Sequence, residues 1–282
     1  TSMRKPRLLL VHAHPDDETI NNGVTMAKYA AMGYGVTLVT CTRGEEGEVL
    51  VPELSHLASH VEDNLGAHRT IELANAMREL GVTDHRFLGE YRDSGMMGTP
   101  PNDRPNCFWK ADVDEAAKKL ALIIDEIKPQ VMVTYDENGG YGHPDHIQTN
   151  RVAMRAFEIA NWKIEKIYWN IMPKSVVQKG MEAMKAQGSD FFGSDNVDEL
   201  PFVKDDSFVT TKIHAPNQVS KKMAAMKEHA TQISLDGPFF ALSNNLGVQV
   251  FGDEYYTLVK GEKHPPFNND NLETDLFAGI AL

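Results

Sequence analysis

Leu8-Leu9-Leu10-Val11 is apolar without a break, Val36 to Cys41 is apolar again, and between them Thr19 to Met32 repeats its apolar residues at helical spacing. An unbroken apolar strand, unlike an alternating one, is covered on both faces. Strand, helix and strand within about 35 residues make a βαβ unit, which requires parallel strands and a right-handed crossover. Ile20, Val24, Ala27 and Ala31 share one helix face, and Gly33 is placed to stop the helix. The first strand, Arg7 to His12, is therefore expected at the centre of a sheet.

The same alternation continues. A helical pattern runs from Leu57 to Leu80, a short strand from Arg86 to Leu88, and a helix with a clean apolar stripe (Val113, Ala117, Leu120, Ile124, Ile127) precedes Pro129. Val131 to Tyr135 reads as a fourth strand, Ile147 to Ala160 as a helix and Lys166 to Ile171 as a fifth strand. This predicts a Rossmann-like, doubly wound, mostly parallel α/β sheet in the order 3-2-1-4-5. Gly89 to Trp109, with prolines 100, 101 and 105, is too broken for regular structure and suits a segment that covers a substrate. After Pro173 the pattern loosens: helices over Val176–Ala186 and Gln218–Thr231, a strand at Val209–Ile213, and a closing β pair from Val248–Phe251 and Tyr255–Val259. With no linker-like composition, residues 1–282 are expected to form one domain, a core over 7–172 and a smaller C-terminal α+β elaboration over 173–282.

Ligands of such a sheet bind outside the carboxyl ends of its strands, where strand order reverses. His14, Asp16 and Asp17 follow the first strand, while His143 and His146 follow the fourth. Neighbouring strands would bring both groups to one crevice. Two His and one carboxylate with an open fourth position is a common catalytic zinc arrangement, and gathering so much charge calls for a cation. Taken singly, each turn is more simply a helix cap, and Asp17 and Glu18 could merely complement the helix dipole. Tyr141 could be an ordinary glycine-flanked tyrosine. His12, at the end of a buried strand, fits a structural hydrogen bonder better than a ligand.

Forty acidic against 28 basic residues give a net charge of −12, which argues against nucleic acid and against an anionic membrane. No apolar run approaches the ~18 residues of a membrane helix. The two cysteines, Cys41 and Cys107, read as reduced thiols of a cytoplasmic protein, and Thr1 to Pro6 is too short and polar for a signal peptide, with Met3 the expected natural start.

The segments Ala13-His14-Pro15-Asp16-Asp17 and His143-Pro144-Asp145-His146 resemble the signature turns of the zinc-dependent N-acetylglucosamine deacetylases, the family of the phosphatidylinositol glycan deacetylases and LmbE-like proteins. Thr40 to Glu48, Arg92 to Met96, Asn138 to Gly142 and Ala241 to Asn245 are similar to the branch of that family in mycothiol biosynthesis. The resemblance implies hydrolysis of the acetamide of an N-acetylglucosaminyl conjugate, N-acetylglucosaminyl-inositol above all. It implies His14, Asp17 and His146 as ligands of Zn2+, with Fe2+ the other candidate, and Asp16 as general base. It implies His143 as a positively charged or proton-donating group, Asp145 as its orienting partner, and Tyr141 as oxyanion donor. Arg69, Asp93 and Glu48, expected outside the metal clusters, would hold substrate hydroxyls. The rival within the family is an S-conjugate amidase using the same apparatus; outside it stands a non-catalytic metal-containing sugar-binding protein. A nucleotide-binding Rossmann domain is disfavoured, since no G-x-G-x-x-G follows the first strand.

Overall fold

The computed structural model describes residues 5–188, 196–236, 239–242, 247–248, 250 and 252–282. In chain order the elements are β1 (Arg7–His12), α1 (Asp17–Ala31), β2 (Gly35–Thr40), α2 (Leu65–Leu80), β3 (Asp84–Phe87), α3 (Val113–Ile127), β4 (Val131–Thr134), α4 (Pro144–Ile159), β5 (Lys166–Pro173) and α5 (Lys174–Ala186). Then follow β6 (Val203–Lys204), β7 (Thr211–His214), α6 (Val219–Glu228), β8 (Ile233–Asp236), β9 (Phe239–Leu242), β10 (Gly247–Val248) and β11 (Asp253–Lys260).

The main sheet has the order β3-β2-β1-β4-β5-β11-β7, with β6 paired to β5. The strands β1 to β5 are parallel in the expected 3-2-1-4-5 sequence. β1 is buried on both sides: Leu8 and Leu10 pack with α1 and α2, Leu9 and Val11 with α3 and α4. Each such leucine, fully buried, contributes about 1.5–3 kcal/mol. The cleanest helix, α3, starts on Asp112, whose carboxylate accepts from the Glu115 N–H, and ends at Lys128 in the left-handed region.

Two expectations are corrected. The helix expected over Leu57–Leu80 begins only at Leu65; Pro52–Leu57 is a 3-10 turn, and Asp63, at φ 56°, breaks the path before α2. Among the described residues the expected closing β pair is absent. β11 runs antiparallel between β5 and β7, while β10 pairs with β9 in a separate three-stranded sheet. Residues 249 and 251 of that expected pair, and Ser243-Asn244-Asn245, lie outside the described residues. Gly89 to Trp109 is irregular, as expected, apart from two 3-10 turns and an isolated bridge between Arg92 and Cys107. Among the described residues no helix is long and apolar enough to cross a membrane.

Candidate active site

β1 and β4 are neighbours, so the turns leaving their carboxyl ends meet. The first turn enters α1 through Asp16, which has φ 134° and ψ −34°. That backbone costs a non-glycine residue on the order of 1–3 kcal/mol and marks a place the surroundings enforce. Asp16 does not cap α1 with its side chain. Glu18 does so instead, its carboxylate accepting from the N–H groups of Asp16 and Thr19 at 2.9 Å each. The Asp16 carboxyl is left facing Arg69, 3.5 Å from Nη2, and burial with the adjacent Asp17 carboxylate pushes its pKa well above the usual range.

The second turn carries Gly139, Gly140 and Gly142 at positive φ. A Cβ on Gly139 would sit 2.4 Å from that of His146, so only glycine lets this turn lie against the imidazole. The Gly139 carbonyl accepts from His146 Nδ1 at 3.0 Å, which leaves the lone pair on Nε2. That Nε2 is buried without a hydrogen-bond partner and lies 3.1 Å from Asp17 Oδ2. His14 is arranged the same way: Nε2 donates to Asp145 Oδ2 at 2.8 Å, and Nδ1 faces Asp17 Oδ2 at 3.7 Å. Two lone pairs converging on one carboxylate oxygen fit a divalent cation, and the Gly139 and Asp145 acceptors are the supports that fix ligating imidazoles. His14, His143 and His146 also offer nitrogens within 4.8 Å of one another. Asp17 Oδ2 lies beside the free donor atoms of His14 and His146, while His143 Nδ1 already accepts the Asp145 N–H at 3.1 Å.

Tyr135, the residue after β4, was not singled out by the sequence. Its hydroxyl donates to Asp17 Oδ2 and accepts from the Ala13 N–H at 3.0 Å, and its ring stacks on His146 with centroids 4.2 Å apart. His12 is a structural hydrogen bonder: Nε2 meets Asn22 Oδ1 at 2.6 Å and the ring lies edge-on to Tyr135.

Asp145, His143, Asp93 and Arg69 fall differently from expectation. Asp145 orients His143 only through its backbone N–H, for its carboxylate serves His14 and the Ser94 N–H. His143 is accordingly not held protonated. Burial first, then the closeness of the His14 and His146 imidazoles, pushes its pKa down to about 2, and with Nδ1 accepting, the neutral ring carries its proton on Nε2. Asp93 is not remote from the metal cluster: Oδ1 lies 3.4 Å from His14 Nε2 and 4.0 Å from His143 Nε2. Arg69 is 3% exposed and donates to the carbonyls of Gly44 and Pro15, tying the first turn to the 42–48 loop, with only Nε unpartnered. Tyr141 is half-buried, edge-on to His146 at 5.1 Å, and burial together with Asp17 and Asp16 keeps its phenol protonated. Glu48 is exposed, and its carbonyl accepts from Gln232 at 2.9 Å.

A family profile described as PIG-L, GlcNAc-PI de-N-acetylase, matches residues 9–157. A 1D-myo-inositol 2-acetamido-2-deoxy-alpha-D-glucopyranoside deacetylase of Geodermatophilus obscurus is 57% identical over 97% of this chain and 98% of its own. A deacetylase of the same description from Acidothermus cellulolyticus is 55% identical over 97% and 94%. Among solved structures, a deacetylase of the teicoplanin biosynthesis pathway superposes with a TM-score of 0.56 over 91% of this chain and 99% of that one at 21% identity, a likeness of fold.

Proposed function

Belonging as it does to the GlcNAc-PI de-N-acetylase family, the chain is a deacetylase, and we propose that it hydrolyses the acetamide of N-acetylglucosaminyl-inositol, releasing acetate and the free amine. The observation that carries the substrate is the 57% identity to the inositol glycoside deacetylase across 97% of this chain. His14, Asp17 and His146 would hold the metal, Zn2+ in our reading with Fe2+ the alternative. Such an ion acidifies a bound water and polarises the acetyl carbonyl.

The chain's own residues supply the rest. Asp16, free of capping duty, accepts the proton of the attacking water. Tyr141, kept protonated, donates to the developing oxyanion. His143, a neutral imidazole with its proton on Nε2, hydrogen-bonds through that N–H to the reacting amide, and the proton that Asp16 took from the water passes to the leaving nitrogen. Asp93 sits close enough to His14 and His143 to hold both in place, and Arg69 holds the turn that carries Asp16, so both act on turnover through position more than by gripping hydroxyls. Glu48 and the 90–109 loop would meet the sugar and inositol. We further take residues 1–282 as one domain acting in the cytoplasm on a small glycoside: β11 and β7, from the C-terminal third, complete the sheet that carries the site.

The test is incubation of the metal-loaded protein with N-acetylglucosaminyl-inositol and detection of primary amine. Amine release that requires the divalent ion is expected. Absence of amine, or faster cleavage of a mycothiol S-conjugate, would overturn the substrate assignment.

A further inference from the structure

Glu18 is buried completely, although its place in the first turn of a helix suggests a solvated charge. An aspartate at a helix N-cap normally turns its carboxylate back onto the first free N–H groups, because these have no partner in the helix. At Asp16 that would withdraw the carboxylate from the substrate side. Glu18 removes the need: its two oxygens accept from the Asp16 and Thr19 N–H groups and from the Thr19 hydroxyl. A carboxylate so buried requires hydrogen-bond partners on both oxygens. A further partner comes from 211 residues further along the chain, where His229, itself fully buried just after α6, places Nε2 2.9 Å from Glu18 Oε2. The helix α6 is fastened nearby, since Lys222 Nζ donates to the Ile20 carbonyl at 2.8 Å and its stem fills the space over Gly23.

We propose that Glu18 and His229 form one positioning unit, which takes over the capping of α1 and holds Asp16 in its left-handed backbone so that its carboxylate faces the substrate. Neither residue touches substrate; both act through Asp16. The inference therefore rests on Asp16 being the general base. It gives the C-terminal third a catalytic use: the segment that ends α6 sets the aim of a group at the N-terminal end of α1.

The test uses Glu18→Gln, His229→Ala and His229→Gln, each made in the parent and in Asp16→Ala, with kcat, KM, metal content and unfolding measured. A misplacement of about 1 Å can cost some 10²-fold in rate. Glu18→Gln and His229→Ala are thus expected to lower kcat roughly 10- to 100-fold, with KM and metal equivalents unchanged. His229→Gln, which retains a donor toward Glu18, should recover most of the loss. In Asp16→Ala the same changes should cost nothing further. Equal losses in both backgrounds, or losses that follow metal content, would overturn the positioning role alone. Parental kcat in Asp16→Ala would overturn the base assignment and this inference with it. If Glu18→Gln does not fold, the two His229 variants in both backgrounds decide the matter.

Discussion

Replacing Tyr135 by Phe removes one oxygen from beneath the site and leaves the rest of the ring, 2% exposed and stacked on His146, in place. The hydroxyl has two jobs, donating to the Asp17 carboxylate and accepting from the Ala13 N–H. A hydrogen bond to a charged group contributes about 1.5–3 kcal/mol, and a stranded buried N–H costs about 1–3 kcal/mol. Because phenylalanine also spares the burial cost of the phenol oxygen, we expect a total near the low end of their sum, about 3 kcal/mol, for the apo protein. The second consequence is for the metal: losing a group that orients a ligand costs roughly 10- to 100-fold in affinity. Urea unfolding of the apo protein measures the first, and competition against a chromogenic chelator the second. If Tyr135→Phe unfolds within about 1 kcal/mol of the parent and binds the ion equally well, Tyr135 does not support Asp17 as argued.

His146→Ala is expected to lose most bound metal by elemental analysis, since its Nε2 has no other partner. Asp16→Asn should keep its metal while kcat falls about 10²- to 10⁴-fold, the range for a positioned base. Burial pushes the Cys41 thiol up to about 12, so its thiolate is scarce below that pH and the native protein should resist iodoacetamide at Cys41 from pH 7 to 9, with labelling appearing only on unfolding; mass spectrometry of the labelled peptide reads this. Glu273→Ala should destabilise by about 3–5 kcal/mol in denaturant titration, because it strands the buried Lys166 ammonium 2.7 Å away and removes acceptors for Thr211 and the His264 N–H.

What could be read from the residues follows from how far each constraint reaches along the chain. The order of β1 to β5 was legible because doubly covered parallel strands are continuous apolar runs and each is followed by a helix of clear period. The meeting of the two turns followed from that order. What escaped was set by partners distant in sequence. Glu18 resembles an ordinary first-turn acid until His229 is placed beside it, and Asp93 belongs to the His14 cluster only because the 90–109 loop folds back over the sheet. The start of α2 was misplaced for a local reason instead, since residues 57 to 64 have helix-compatible spacing but turn through a left-handed Asp63. β11 could not be seated from pattern alone, as an antiparallel strand lying between β5 and β7 leaves no local trace of its neighbours.

The position of β11 also bears on when activity can first arise as the chain is synthesised. Helix α1 is interrupted at Asn22, and the Val24 and Thr25 N–H groups freed there are taken by the carboxylate of Glu254 on β11, at 3.1 and 2.8 Å. Tyr256 of the same strand contacts Asn22 and Thr25, and Asp275 accepts from Tyr29. The helix that bears Asp17 and Glu18 thus waits for residues made about 230 positions later to complete its bonding. Chains that end before β11 would carry both histidine-bearing turns and still lack a finished α1, which makes them targets for chaperones and proteases before they can hydrolyse anything.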